Sequence, residues 1–142
     1  MIIATWNLER LAHKRDLEKI EQLCESMHTD ILVLTESDER VRLQHRYCYQ
    51  TPTPPSMSVE GFDKPICYAP TEHRVSIFTN YKCVQKYETY DEHTAICVEL
   101  KTEFGGLVVY GTIMGLLGNR QAEYRESLPK QLSDIRRLVD AG

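Results

Sequence analysis

Met1-Ile-Ile-Ala-Thr-Trp-Asn7 and Asp30-Ile-Leu-Val-Leu-Thr-Glu36 decide the fold. Each is a short apolar run ending on a polar side chain, an amide in the first and a carboxylate in the second. Between them Leu17, Ile20, Leu23, Cys24 and Met27 recur at helical spacing in an otherwise charged segment. Strand, helix and strand close most often as a parallel pair with a right-handed crossover. Both strands then run the same way, so Asn7 and Glu36 emerge at one carboxyl edge, where open α/β sheets bind their ligands.

Outward from that unit, Ser37–Arg40 turns the chain and residues 41–66 lose their periodicity. Thr51-Pro-Thr-Pro-Pro-Ser56 and Gly61 mark a long surface excursion that begins at the Glu36 edge. From Glu72 the pattern is that of strands. His73–Thr79 alternates Val75 and Ile77 against Arg74 and Ser76, and Lys82–Tyr87 is a weaker strand beyond an Asn80-Tyr81 turn. Thr94–Thr102 sets Ile96, Val98 and Leu100 on one face, and Gly105-Gly106 closes a hairpin onto Leu107–Ile113. Asn119 is placed to cap a final helix, with an apolar stripe of Leu128, Leu132, Ile135 and Val139 opposite Lys130, Asp134 and Arg137. Pro129 predicts a kink or restart near Leu128. This order excludes a purely parallel doubly wound sheet and predicts an α/β sandwich with a mixed sheet.

The 142 residues make one domain or part of one. A hydrophobic content of 42% with 27% charged residues excludes a disordered chain. The net charge of −4 offers no global basic field for polyanions. Five cysteines form no C-x-x-C pair, and Cys24 and Cys97 fall within apolar patterns, which predicts buried free thiols in a reducing compartment. With no secretory leader and no apolar run approaching about 18 residues, the expectation is a cytoplasmic protein without membrane insertion.

Thr5-Trp6-Asn7-Leu8, the Asp30–Ser37 run, and the later order of strand, hairpin and helix together resemble the N-terminal half of the endonuclease/exonuclease/phosphatase superfamily. The resemblance covers essentially all of residues 1–142. It implies a Mg²⁺-dependent (or Mn²⁺-dependent) phosphoesterase, built as a four-layer α/β sandwich of two mixed sheets with helices outside. It makes Glu36 the ligand of the catalytic metal and Asn7 a support of the metal and phosphate site. The substrate it implies is a phosphate ester, in a nucleic acid, a nucleotide or a phospholipid headgroup, with substrate-binding residues unassigned. Two departures stand out. Ile113 occupies the position where many members carry a phosphate-contacting histidine, and the downstream Asp-x-Asn and Ser-Asp-His motifs are absent. Residues 1–142 are therefore expected to be the N-terminal portion of such a domain, inactive as an isolated segment. The alternative is a non-catalytic interaction module that keeps the fold.

Phosphodiester hydrolysis needs a positioned oxygen nucleophile and positive charge on the non-bridging oxygens. Mg²⁺ serves the second need with one or two carboxylates and the substrate phosphate in its shell. Asn7 adds an amide donor and acceptor without charge. His73, His93, Arg74 and Arg120 remain available, and none lies where a role is demanded. His45-x-x-Cys48 with Cys67 and His73 lacks the paired spacing of a zinc site. Tyr47, Tyr49 and Tyr68 fit edge-of-core tyrosines better than stacking platforms, and Arg40, Arg42 and Arg46 fit a solvated turn at least as well as a phosphate site. Half of a two-sheet sandwich would leave about 400 Å² of apolar sheet face bare, so a homo-oligomer, a pairing C-terminal half or a rearranged fold is expected to cover it.

Overall fold

The computed structural model describes residues 1–11, 16–58, 63–113 and 122–141. Strand β1 (Ile3–Asn7), helix α1 (Leu17–Ser26) and strand β2 (Ile31–Asp38) form the expected unit. β1 and β2 are parallel, with Ile3 level with Ile31 and Asn7 level with Thr35. Asp16 caps α1 by accepting the Lys19 N–H at 3.1 Å, which satisfies one of the free donors of the first turn. The helix lays Leu17, Ile20 and Cys24 onto the sheet.

β2 pairs antiparallel with β4 (Glu72–Thr79), whose other edge carries β3 (Tyr47–Gln50), giving the order β1-β2-β4-β3. The sequence reading placed no strand within 41–66. Four residues are too short an alternation to stand out, and β3 is specified by its partner instead, from Tyr47 opposite Thr79 to Gln50 opposite Ser76. A second, antiparallel sheet contains β5 (Lys82–Tyr87), β6 (Ala95–Thr102) and β7 (Gly105–Thr112) in that order. The Asn80-Tyr81 turn carries the chain from one sheet to the other. In the β6–β7 hairpin the paired ends are Thr102 and Gly105, so Glu103 and Phe104 make the turn. Gly105 follows it at φ +117, a conformation that favours glycine.

The two sheets face each other. Ile31, Val75 and Ile77 of the first meet Ile96, Val98 and Leu100 of the second. On the other side of the first sheet, Leu32, Leu34 and Phe78 pack with Leu8, Leu11 and Cys24 under α1. All eight residues of β4 are consequently buried. The sheets pack tightly at Gly111, where a Cβ would lie 2.7 Å from Val75 Cγ1. The architecture is thus a four-layer α/β sandwich with a mixed first sheet. The inner face expected to lie bare in a half-molecule is covered by the second sheet of this same chain.

α2 (Ala122–Ala141) lies on the outer face of the second sheet, and it departs in part from the expected orientation, with Leu128 and Ile135 of the apolar stripe partly buried. Gln131 is fully buried and Asp134 is 8% exposed, whereas Leu132 and Val139 of the expected stripe are 52% and 72% exposed. The outer face of β6 and β7 offers the hydroxyls of Tyr110 and Thr112 beside the small buried side chains of Ala95 and Cys97, and the helix turns Gln131 and Asp134 toward them. Gln131 Nε2 donates to Thr112 Oγ1, Tyr90 Oη and the Ile113 carbonyl at 3.0–3.1 Å. The helix also runs through Pro129 as one element without the expected restart, although proline cannot donate a hydrogen bond there. Asn119, its expected cap, lies outside the described residues. All five cysteines are free, and burial pushes the Cys24 and Cys97 thiols up to about 11.

Candidate active site

Parallel pairing fixes the geometry of the rim. Asn7 ends β1 level with Thr35, so Glu36 follows one residue further along the neighbouring strand. Asn7 is exposed, and its Oδ1 accepts the Glu9 N–H at 2.7 Å. That bond opens a left-handed turn in which Glu9, Arg10 and Leu11 have φ of 49, 54 and 53. Glu36 is partly buried and also has a left-handed backbone, φ 49, inside β2. Its neighbours Thr35 and Ser37 pair with Val75 and His73, leaving Glu36 and Arg74 at the irregular step between them.

The left-handed turn after Asn7 swings Arg10 over the start of β4. Its Nε and Nη2 hold the Glu72 carboxylate at 2.8 and 3.0 Å, and Nη2 also donates to the Cys67 carbonyl at 2.7 Å. Two guanidinium groups, those of Arg10 and Arg74, sit 4.4 and 4.9 Å from the centre of the Tyr68 ring. Arg74 Nη2 donates to Tyr68 Oη at 2.5 Å and reaches Met57 Sδ at 3.5 Å. The excursion after β3 therefore folds back onto the edge where Glu36 lies, closed on itself by a Met57–Ile66 bridge.

Arg10 beside Glu72 holds that carboxyl below its ordinary range. Burial lowers the Arg74 guanidinium, against the opposing pull of Tyr68 and Glu36. The Glu36 carboxylate acts on Arg10 as well, so it shares its field with both cations. The Glu72 shift has a consequence for stability. A carboxyl depressed by folding contributes stability above its unfolded pKa, about 4.3, and that contribution is lost as pH falls through the lower folded value. Glu72→Gln should therefore lower the urea midpoint at neutral pH, and it should lose less than the parent between about pH 5 and pH 3. Equal losses in both proteins would show that the Arg10–Glu72 clasp carries none of the acid sensitivity.

The other residues singled out from sequence have structural partners. Asp38, 1% exposed, takes Arg40 Nε and Nη2 at 2.9 and 2.7 Å. Arg42 and Arg46 are exposed on the turn, Arg46 lying 5.9 Å from the Tyr47 ring. Tyr49 Oη accepts the Cys83 N–H at 2.7 Å and so ties the two sheets together. His73 is held between the Thr51 carbonyl and Glu39, at 2.6 and 3.1 Å. Ile113 is partly buried, with its carbonyl on Gln131. Arg120 lies outside the described residues. Sequence reading missed Arg10, Met57 and Glu72, and it weighed Tyr68 only as an edge-of-core or stacking tyrosine. The one signal pointing their way was Arg74, a charge inside an otherwise buried strand.

Among the described residues no group of three or more His, Cys, Asp or Glu side chains converges as a metal cage. Glu36 is a carboxylate with an amide, Asn7, on the adjacent strand. That donor set fits a mostly hydrated Mg²⁺ completed by substrate oxygens, not a closed all-protein site.

Among solved structures the chain is similar to beta toxin from Staphylococcus aureus. Its β-hairpin deletion mutant matches at a TM-score of 0.61 and 16% identity, over 99% of this chain and 61% of that one. A second mutant, with bound magnesium ions, matches at 0.61 and 15%, over 96% and 58%. The likeness is one of fold alone. The chain spans about three-fifths of the length of these neighbours. No protein-family model matches the sequence, and no curated protein matches it. No helix among the described residues is long and apolar enough to cross a membrane.

Proposed function

We propose that residues 1–142 form the N-terminal portion of a cytoplasmic, Mg²⁺-dependent phosphoesterase that hydrolyses phosphate esters by metal-assisted attack of water. The observation that carries this reading is Glu36. A non-glycine residue in a left-handed backbone within a strand costs free energy, and such positions cluster where a side chain must be aimed. Here the aimed group is a carboxylate at the carboxyl edge, beside an amide on the parallel neighbour. The shared fold with a toxin whose structure holds magnesium ions supports the choice of metal.

Glu36 would hold the cation, and Asn7 would orient a phosphate oxygen or a ligand water. Mg²⁺, when bound, supplies positive charge to the non-bridging oxygens and lowers the pKa of water. Residues 1–142 contain no Asp-x-Asn and no Ser-Asp-His motif, so these residues alone are not expected to turn over. The substrate class is a phosphate ester of a nucleic acid, a nucleotide or a phospholipid headgroup. A non-catalytic module is the second reading, favoured by Ile113, whose position supplies no acid, base or cation.

Calorimetric titration with Mg²⁺ tests the proposal. The chain should bind Mg²⁺, Glu36→Gln should abolish binding, and Asn7→Ala should weaken it. Mg²⁺ binding of equal strength in the parent and Glu36→Gln sinks the assignment, and no binding by the parent favours the second reading.

A further inference from the structure

Arg74 is 5% exposed, yet among the described residues no carboxylate lies in hydrogen-bonding contact with it. Its Nη2 rests on a phenol oxygen and a thioether sulfur, both weak acceptors, and its Nε is buried with no hydrogen-bond partner among the described residues. A buried guanidinium normally finds a carboxylate or phosphate across the fork formed by Nε and Nη2. The same molecule shows that arrangement a few ångströms away, where Arg10 grips Glu72 through just those two atoms. In Arg74 one tine of the fork is open and the other is on loan to Tyr68. An orphaned buried donor of this kind calls for an explanation.

Resting on the reading of this rim as a phosphoester site, we propose that Arg74 is its phosphate receptor. The Tyr68 side chain rotates away, and two non-bridging oxygens of a phosphate ester take Nε and Nη2 as a fork. Tyr68 Oη and Met57 Sδ are placeholders that satisfy the cation only until the anion arrives. Glu36, in electrostatic reach of Arg74, sets the order of events. Its bare carboxylate repels an incoming oxyanion, and a cation on Glu36 reverses that sign. Metal and phosphate therefore bind cooperatively, each tightening the other by the same factor.

Calorimetry on the full chain with inorganic phosphate and with dimethyl phosphate, each with and without Mg²⁺, tests this. Both ligands should bind saturably through the two oxygens they share. Arg74→Met, which keeps the apolar stem, should weaken binding about tenfold or more, the scale of a lost hydrogen bond to a charged group. Tyr68→Phe removes the competing acceptor and should tighten binding severalfold. Mg²⁺ should tighten phosphate binding in the parent and leave Glu36→Gln unmoved. Equal binding by Arg74→Met and the parent overturns the proposal, as does failure of Tyr68→Phe to bind. Circular dichroism establishes that Arg74→Met is folded, and if it is not, Tyr68→Phe decides. A site that takes inorganic phosphate and refuses the diester overturns the assignment to an ester. Loss of binding in Arg74→Met with no Mg²⁺ effect anywhere keeps the receptor and sinks the metal role of Glu36.

Discussion

Ile77→Ala should cost about 3–4 kcal/mol of folding stability, within the range for emptying a buried isoleucine site. Ile77 is completely buried at the centre of β4, level with Val33 on β2 and Tyr49 on β3. Its side chain belongs to the cluster between the two sheets, with Val98 and Leu100 opposite. β4 is an interior strand buried along its whole length, so the backbone cannot sink to fill the cavity. Domains of this size hold about 5–15 kcal/mol in total, and the variant should give up a large share of that. The readout is the urea midpoint at unchanged m-value. Val84→Ala on β5, 53% exposed, serves as control and should stay within about 0.5 kcal/mol of the parent. If the two variants shift alike, the sheets do not pack at this point.

Asp134→Ala should destabilise by about 2–4 kcal/mol, because it removes the acceptor shared by two part-buried donors. The carboxylate accepts the Tyr90 N–H at 2.7 Å and Tyr110 Oη at 3.0 Å, with Arg137 at 3.4 Å. It therefore fastens α2 to the second sheet and to the segment ahead of β6. Asp134→Asn keeps one acceptor oxygen and should recover part of the loss. Leu132→Ala, on the exposed side of the same helix, should be nearly silent. Thermal melts of the three variants check the order. A damaging Leu132→Ala beside a neutral Asp134→Ala would mean that the helix packs on its apolar stripe after all.

That contrast shows where local pattern stops being informative. The periodicity of Leu128, Leu132, Ile135 and Val139 correctly marks a helix, because side chains three and four apart share a face. It does not identify the face that meets the sheet. The second sheet presents Tyr110, Thr112 and the nearby Tyr90, which need hydrogen-bond partners, and Gln131 and Asp134 supply them. In β6, by contrast, Ile96, Val98 and Leu100 face an apolar partner, and there the alternation read from sequence and the buried face coincide.

The candidate site divides in the same way. The placement of Asn7 and Glu36 on neighbouring strands was legible because each closes an apolar run, and a right-handed crossover makes the two strands parallel, although β2 itself continues past Glu36 to Asp38. The left-handed backbone at Glu36 was not legible, since nothing in Thr35-Glu36-Ser37 requires it. The cations around it were hidden for a different reason. Arg10 reaches Cys67 and Glu72 across 57 and 62 residues of chain, and no periodic signal spans that distance.

The amino-acid order by itself determined the strand–helix–strand start, the strand alternation of the second half and the shared rim of Asn7 and Glu36. These follow from short-range spacing and from the fixed hand of a polypeptide. Tertiary packing alone decided that the chain covers its own first sheet, that α2 docks through polar groups, and that Arg74 lies buried beside Glu36 under Tyr68. Those outcomes depend on which surfaces meet, and the free energy of burying a group is set by what it is buried against.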